Sequence, residues 1–164
     1  MKKLLLTLAV ILCLVVQAKT PLNQRDVYQE IIAMGIKFAD IVLAQAILES
    51  GNFKSKLAKE NNNLFGMRLA RVRETTAKGQ KYGYANYLSW KDSVKDYKLW
   101  QDSVLKNKKN MTRTQYLSYL NRIYSETPNY ISRIRFITET NKNKYEDSTY
   151  ASNDHANDSV RINL

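Results

Sequence analysis

The sequence predicts a mainly α domain (α+β) in which one β-hairpin is inserted between two groups of helices. The chain has 164 residues, a length typical of one domain. Apolar residues recur at helical spacing on both sides of the stretch 67–88, and within that stretch the helical period disappears. Because Cys13 is the only cysteine, such a domain must be held by an apolar core and not by disulfides.

The N-terminal segment has the features of a secretory signal peptide. Lys2 and Lys3 form a basic start, residues 4–16 are almost continuously apolar, and Ala18 ends a short segment typical of signal-peptidase cleavage. The apolar run is shorter than the roughly 20 residues that a membrane-spanning helix needs. We therefore expect residues 1–18 to be removed on export to the periplasm or the cell exterior, which leaves no stable membrane span. An uncleaved anchor is the alternative.

Two helices are predicted before the hairpin. Apolar side chains recur at helical spacing over residues 23–34 and define the first. Asp40 is predicted to cap a second helix, residues 40–50, which is apolar on nearly every side and should therefore be buried. Its only interior polar side chains, Gln45 and Glu49, are four residues apart and share one face.

The middle of the chain predicts a short helical turn and then a hairpin. The turn covers residues 55–60. Lys78 and Gly79 lie between two extended-looking segments, so we predict the hairpin turn there. The second segment carries Tyr82, Tyr84 and Leu88 at two-residue spacing.

Three further helices are predicted after the hairpin. Ser89 is placed to cap the first of them. Thr112 and Gln115 have the spacing of a capping box at the start of the second, residues 112–125. The third follows Pro128.

Composition limits the chemistry that is available. Residues 142–164 are polar and aperiodic, so we expect a disordered tail and a folded domain over residues 19–141. The only histidine, His155, lies in that tail, which argues against a Ser-His-Asp triad, a Cys-His pair and a multi-histidine zinc site. We expect no metal and no cofactor, and a reaction that depends on carboxylates, amides and tyrosines.

The net charge predicts a polyanionic partner. The formal charge is +11, and a strongly basic surface raises the encounter rate with polyanions. Because we expect the protein to be exported, an anionic cell wall or membrane surface is favoured over nucleic acid as its partner.

Glu49 is the residue whose surroundings predict chemistry. It ends a helix that is expected to be buried, and an apolar setting disfavours the charged form of a carboxyl group and raises its pKa. A carboxylic acid that stays protonated near neutral pH is what protonation of a glycosidic oxygen requires. The alternative is a solvated helix-end glutamate paired with Lys54 or Lys56.

Three sequence blocks resemble one known family. Residues 44–51 read Ala-Gln-Ala-Ile-Leu-Glu-Ser-Gly, and residues 62–66 read Asn-Asn-Leu-Phe-Gly. Together they resemble the signature of the bacterial glucosaminidases of glycoside hydrolase family 73. Residues 87–97 and residues 124–134 are similar to two further elements of that family, in the same order, and the resemblance runs from about residue 26 to residue 140.

The resemblance implies a fold and an activity. It implies a lysozyme-like helical lobe and a small β-lobe that flank a groove. It further implies hydrolysis of the β-1,4 bond after N-acetylglucosamine in peptidoglycan, with Glu49 as the catalytic acid. We expect a monomer whose partner is the glycan strand.

The second carboxylate is less well defined. Some members of the family carry it just after a Thr-Thr pair, whereas here Glu74 comes before Thr75 and Thr76. A one-residue slip in a strand turns a side chain to the opposite face, so Glu74 is a candidate and not a match. Asp92 and Asp96 are other acids nearby, and the acetamido group of the substrate could replace a second carboxylate. Retaining, inverting and substrate-assisted mechanisms therefore stay open.

Sugar binding needs flat apolar surfaces together with amide or hydroxyl groups. The residues of these types in the matching blocks, which we predict to bind substrate, are Gln45, Asn63, Phe65, Tyr87, Tyr124 and Tyr130. Each is also a residue type that is common in protein cores.

Other functions fit parts of the sequence. A lytic transglycosylase or a muramidase of the same fold would use a similar glutamate. A non-catalytic wall-binding module would keep the fold without the reaction, and an exported nucleic-acid binder would use only the positive charge. The sequence leaves open whether such a hydrolase is a bacterial autolysin or a phage lysin.

Overall fold

The structure, a computed structural model, describes residues 21–108, 110–123, 128–142 and 144. In chain order the elements are α1 (Gln24–Ala33), α2 (Ala39–Glu49), α3 (Lys56–Glu60), β1 (Gly79–Lys81), β2 (Tyr84–Asn86), α4 (Trp90–Leu105), α5 (Arg113–Ile123) and α6 (residues 130–142). The predicted mainly α class with one inserted hairpin is confirmed. The predicted signal peptide and most of the predicted tail lie outside the described residues, although residue 142 is still helical.

Helix α2 forms the centre of the core. Its residues 41–46 are all buried, and α1 packs against it through Val27 and Ile31, which are fully buried. The predicted cap at Asp40 is wrong. The helix begins one residue earlier, after Phe38 in the left-handed conformation (φ 58°). Asp40 instead pairs across the surface with Arg113.

The end of α2 is fixed by a serine. The hydroxyl of Ser50 donates a hydrogen bond to the carbonyl of Ala46, and the backbone N–H of Phe53 donates to the same hydroxyl at 2.8 Å. Ser50 is fully buried, so these bonds satisfy polar groups that would otherwise be left unpaired. They end the helix immediately after Glu49.

The hairpin is present, but its turn lies four residues later than predicted. Strands β1 and β2 pair antiparallel, and Gly79 pairs with Asn86 inside the ladder. The turn is formed by Tyr82 and Gly83, which both have positive φ, 57° and 77°, as a two-residue hairpin turn requires. The side chain of Tyr82 is held by a residue that is distant in sequence, since its hydroxyl donates a hydrogen bond to Glu60 at 2.6 Å.

The helices after the hairpin begin where the sequence predicts. At α4, the side chain of Ser89 accepts from the N–H of Asp92, and Asp92 accepts from the N–H of Ser89, which completes a capping box. At α5, the N–H of Thr112 donates to Gln115 at 2.8 Å and the N–H of Gln115 donates to the Thr112 hydroxyl at 3.3 Å. Within the described residues, every helix is too short or too polar to cross a membrane.

Candidate active site

Glu49 is the last residue of α2, and its carboxyl group is only partly exposed. Burial raises its pKa above the usual value. The hydroxyl of Tyr130 and the positive charge of Arg133, both on α6, act in the opposite direction and lower the pKa. The balance is a raised pKa, which keeps the proton on Glu49 to a higher pH than for an exposed glutamate.

The Asn-Asn-Leu-Phe-Gly loop lies against the Glu49 carboxyl group. A methyl group added to Gly66 would lie 3.6 Å from Oε2 of Glu49. Gly66 has a φ of +61°, a conformation in which residues with a side chain are strained. The loop that resembles the family signature therefore lies close to the Glu49 carboxyl group.

Asn63 fixes the shape of that loop. Its side-chain amide donates to the carbonyls of Met67, at 2.9 Å, and Ala85, at 3.0 Å, while its oxygen accepts from the N–H of Met67 at 3.1 Å. Ala85 is in β2, so the asparagine ties the loop to the hairpin. It is almost completely buried.

Five of the six predicted sugar-binding residues are buried. Gln45, Asn63, Phe65, Tyr87 and Tyr130 are each at most 2% exposed. Phe65, for example, packs against the ring of Tyr97 with centroids 4.3 Å apart. These side chains are part of the core around the site, and their contact with a substrate stays a prediction. The sixth, Tyr124, lies outside the described residues.

Glu74 lies on a segment that a buried ion pair holds against α4. Arg73 donates to both carboxylate oxygens of Asp96, at 2.8 and 3.2 Å. The hydroxyl of Tyr87 donates to the same carboxylate at 2.7 Å, and the hydroxyl of Thr76 donates to the Asp92 carbonyl at 2.6 Å. The side chain of Glu74 itself is exposed. Asp92 and Asp96 are therefore engaged in structural contacts.

An apolar hollow between the end of α2 and α6 was not predicted from the sequence. It is lined by Leu48, the residue before the acid, and by α6 residues Ser132, Arg133, Phe136 and Ile137. Phe136 is 72% exposed, which is unusual for a large apolar side chain. Helical spacing could have indicated that Arg133 shares a face of α6 with Tyr130, but not that this face meets the end of α2.

No group of three or more His, Cys, Asp or Glu side chains within the described ranges comes together as a metal site would require. The side chains that come together at the end of α2 are the carboxyl group of Glu49, whose pKa is raised, the phenol of Tyr130 and the guanidinium group of Arg133.

A mainly helical domain with one inserted hairpin is the architecture of a lysozyme-like fold. The family model described as mannosyl-glycoprotein endo-beta-N-acetylglucosaminidase matches residues 25–155. The chain belongs to this glucosaminidase family, as the sequence blocks predicted.

Two curated proteins are similar to part of this sequence. Protein bax of Escherichia coli is 47% identical over 57 residues, which are 35% of this chain and 21% of that protein. An N-acetylmuramoyl-L-alanine amidase domain-containing protein of Staphylococcus aureus is 32% identical over 126 residues, 61% of this chain and 20% of that protein. The match thus spans about a fifth of the length of each curated relative.

A solved structure supports the fold. The catalytic domain of the autolysin Auto from Listeria monocytogenes superposes with a TM-score of 0.52 at 22% identity, covering 82% of this chain and 93% of that chain. At this identity the likeness establishes the shared architecture.

Replacing Gly66 by alanine is expected to reduce both stability and glycan cleavage. The left-handed backbone disfavours alanine by roughly 1 kcal/mol, and the new methyl group contacts Oε2 of Glu49. We expect kcat to fall about tenfold because relief of the backbone strain shifts the loop that contacts the Glu49 carboxyl group. Gly35→Ala is the matched control, since Gly35 has a φ of +62° with no atom within 4 Å of the added methyl. Equal losses of activity in the two variants, measured with melting temperatures, would contradict the expected contact with the acid.

Proposed function

We propose that this protein is a peptidoglycan hydrolase that cleaves the β-1,4 bond after N-acetylglucosamine, with Glu49 as the general acid. The observation that carries the proposal is the raised pKa of a half-buried glutamate, located where the family signature places its acid. The family match over residues 25–155 supports the substrate class.

The proposed first step is a proton transfer from the Glu49 carboxyl group to the glycosidic oxygen. The sugar–oxygen bond breaks, and positive charge develops on the sugar ring while Glu49 becomes a carboxylate. Tyr130 and Arg133 both lower the pKa of Glu49, which means that they stabilise the carboxylate left by proton transfer. Burial has the opposite effect and raises the pKa of Glu49, so the protonated form persists to a higher pH than in an exposed glutamate.

The hollow on α6 is proposed to bind the glycan strand beside the scissile bond. Phe136 presents an exposed ring on which the apolar face of a sugar can pack. Arg133 adds a positive charge suited to a carboxylate of the wall. This surface would add an exposed contact to the residues that the sequence predicts to bind substrate.

Export is proposed from the N-terminal sequence. Residues 1–18 have the pattern of a cleaved signal peptide, and a wall substrate requires the enzyme to act outside the cytoplasm. Removal of Lys2 and Lys3 with the signal peptide lowers the formal charge from +11 to +9, which still favours retention on an anionic wall. We propose a monomer, whose groove is formed by one chain.

Glu74 is proposed as the second carboxylate, and its replacement by glutamine should lower kcat about 100-fold, a loss typical of a missing acid–base group. The neighbouring Arg73 and Thr76 are bonded to α4, so the backbone that carries Glu74 is held in place. Glu139→Gln, an exposed change on α6, is the control in a steady-state assay on purified glycan strands. Unchanged activity of the Glu74 variant would instead assign its role to the acetamido group of the substrate.

Product analysis tests the proposed activity directly. Residues 19–164 are incubated with purified peptidoglycan, and the new sugar ends are reduced with borohydride and identified by mass spectrometry. Reduced glucosamine ends are the expected result. Reduced muramic ends would indicate a muramidase, anhydro-muramic ends a transglycosylase, and wall binding without cleavage a binding module; each outcome would overturn the proposal.

A further inference from the structure

A chain of buried hydrogen bonds crosses the helical lobe and ends beside Glu49. The residues Gln101, Tyr116, Tyr97 and Gln45 form this chain, which we call the amide–tyrosine chain. They come from α4, α5 and α2, and each is at most 1% exposed. Consecutive members are 3.0, 2.7 and 2.7 Å apart.

The backbone of Lys37 sets the direction of the first link. Its N–H donates to Oε1 of Gln101 at 2.8 Å, and its carbonyl accepts from Nε2 of Gln101 at 2.9 Å. A backbone N–H can only donate and a carbonyl can only accept, so the Gln101 amide has one possible orientation. Its Nε2 therefore donates to the hydroxyl of Tyr116.

The remaining links follow in the same direction. The Tyr116 oxygen accepts from Gln101, and its proton points to the oxygen of Tyr97, 2.7 Å away. The hydroxyl of Tyr97 donates to Oε1 of Gln45 at 2.7 Å. Because one end of the Gln45 amide is engaged as an acceptor, the other end, Nε2, can only donate.

Two buried donors lie at the end of the chain. Nε2 of Gln45 and the hydroxyl of Tyr130 are buried, and neither has a hydrogen-bond partner of standard geometry among the described residues. Both nevertheless interact electrostatically, since Gln45 acts on Tyr130 and Tyr130 acts on Glu49. Hydrogen bonds of catalytic groups are often long before substrate binds and shorten in the complex.

We propose that the amide–tyrosine chain positions the Tyr130 hydroxyl to donate to the Glu49 carboxylate that proton transfer creates. In the proposed arrangement Nε2 of Gln45 approaches the oxygen of Tyr130, on which it already acts, so the phenolic proton has the carboxylate as its acceptor. Tyr97 and Tyr116 are thus positioning residues, which act on the reaction without touching the substrate. The inference rests on the proposed role of Glu49, and it adds two helices, α4 and α5, to the elements that control this acid.

The common direction of the hydrogen bonds in the amide–tyrosine chain explains why these polar side chains lie in the core. Aligned hydrogen bonds polarise one another, and a buried donor without a partner is unfavourable. Here the two donors without a hydrogen bond of standard geometry lie at the end nearest Glu49, where a negative charge develops during the reaction. The groups of the described residues that act on the charge of Glu49 are Tyr130 and Arg133, and the chain reaches only the first.

The test removes one hydroxyl far from the acid. In Tyr116→Phe the ring is kept and the link between Gln101 and Tyr97 is lost. The matched control is Tyr119→Phe on the same helix, whose hydroxyl is outside the chain. Titration of the Glu49 side-chain carboxyl by carbon-13 NMR, assigned with Glu49→Gln, needs no enzymatic activity and so tests the inference even if the proposed reaction fails.

We expect Glu49 to titrate at a higher pH in Tyr116→Phe than in the wild type, and at the wild-type pH in Tyr119→Phe. With glycan substrate, kcat should fall about three- to tenfold at constant KM, because an interaction made only after proton transfer is weakened. In a Tyr130→Phe background, Tyr116→Phe should have no further effect on either readout.

Two results would overturn the inference. One is an unchanged Glu49 titration in Tyr116→Phe together with an unchanged melting temperature. The other is an additive effect of Tyr116→Phe in the Tyr130→Phe background, which would show that Tyr116 does not act through Tyr130. If Tyr116→Phe fails to fold, Tyr97→Phe breaks the next link and is judged by the same two criteria.

Discussion

Glu49→Gln is expected to lower kcat for peptidoglycan cleavage by about 10²–10⁴-fold, the contribution of a general acid. Glutamine has nearly the same shape but carries no transferable proton. Because burial raises the pKa of Glu49, wild-type activity should fall as the pH rises through that pKa, when the acid loses its proton. Release of reducing ends at several pH values, for the wild type and the variant, measures both effects.

The melting temperature of Glu49→Gln shows whether a loss of activity comes from the missing acid or from unfolding. The folded state holds the Glu49 proton more tightly than the unfolded chain, so this group favours folding at low pH, and that contribution is lost as the pH rises through the folded pKa. At neutral pH the variant should therefore melt at the wild-type temperature or above it. Glu139→Gln controls for loss of an exposed glutamate on α6. Full activity in Glu49→Gln would refute the proposed acid.

The position of Glu49 could be predicted because its signal is local. An apolar helix with two polar side chains four residues apart indicates burial with one chemically distinct face, and a glycine loop follows. The capping boxes at Ser89 and Thr112 are equally local, since each is formed by residues three apart. Such features depend on short stretches of sequence, and the structure contains them.

The features that could not be predicted depend on contacts between distant residues. Tyr82 forms the hairpin turn because Glu60 and Lys56 hold its side chain, 22 and 26 positions earlier in the chain. The tyrosines near the acid have the composition of a sugar-binding surface, but packing between helices buries them. Arg133 and Phe136 reach the site only because α6 crosses the end of α2.

Asp96→Ala is expected to lower the free energy of unfolding by about 3–5 kcal/mol, the usual loss when one partner of a buried ion pair is removed. The Asp96 side chain is 0% exposed and Arg73 is 19% exposed, so the arginine would be left without its partner in a mostly dry position. The hydroxyl of Tyr87 would lose its acceptor as well. Urea unfolding at neutral pH measures the loss.

The matched control for Asp96→Ala is Asp102→Ala on the same helix. Asp102 is 56% exposed and pairs with Lys98 at (i,i+4) spacing, an arrangement that contributes only about 0.3–0.5 kcal/mol. Similar losses in the two variants would mean that the Arg73–Asp96 pair does not hold the Glu74 segment.

Acid should weaken the contribution of Asp96 in a defined direction. Burial alone would raise the pKa of Asp96, but hydrogen bonds from Arg73, Tyr87 and Thr75, with the charge of Arg73, lower it below its usual value. The stabilisation is therefore present above the unfolded pKa of about 3.9 and is lost as the pH falls through the folded pKa. The difference in stability between the wild type and Asp96→Asn should accordingly be constant at neutral pH and shrink below about pH 4. A difference that stays constant in acid would show that Asp96 contributes through its shape, and that the hairpin segment is held in place without its charge.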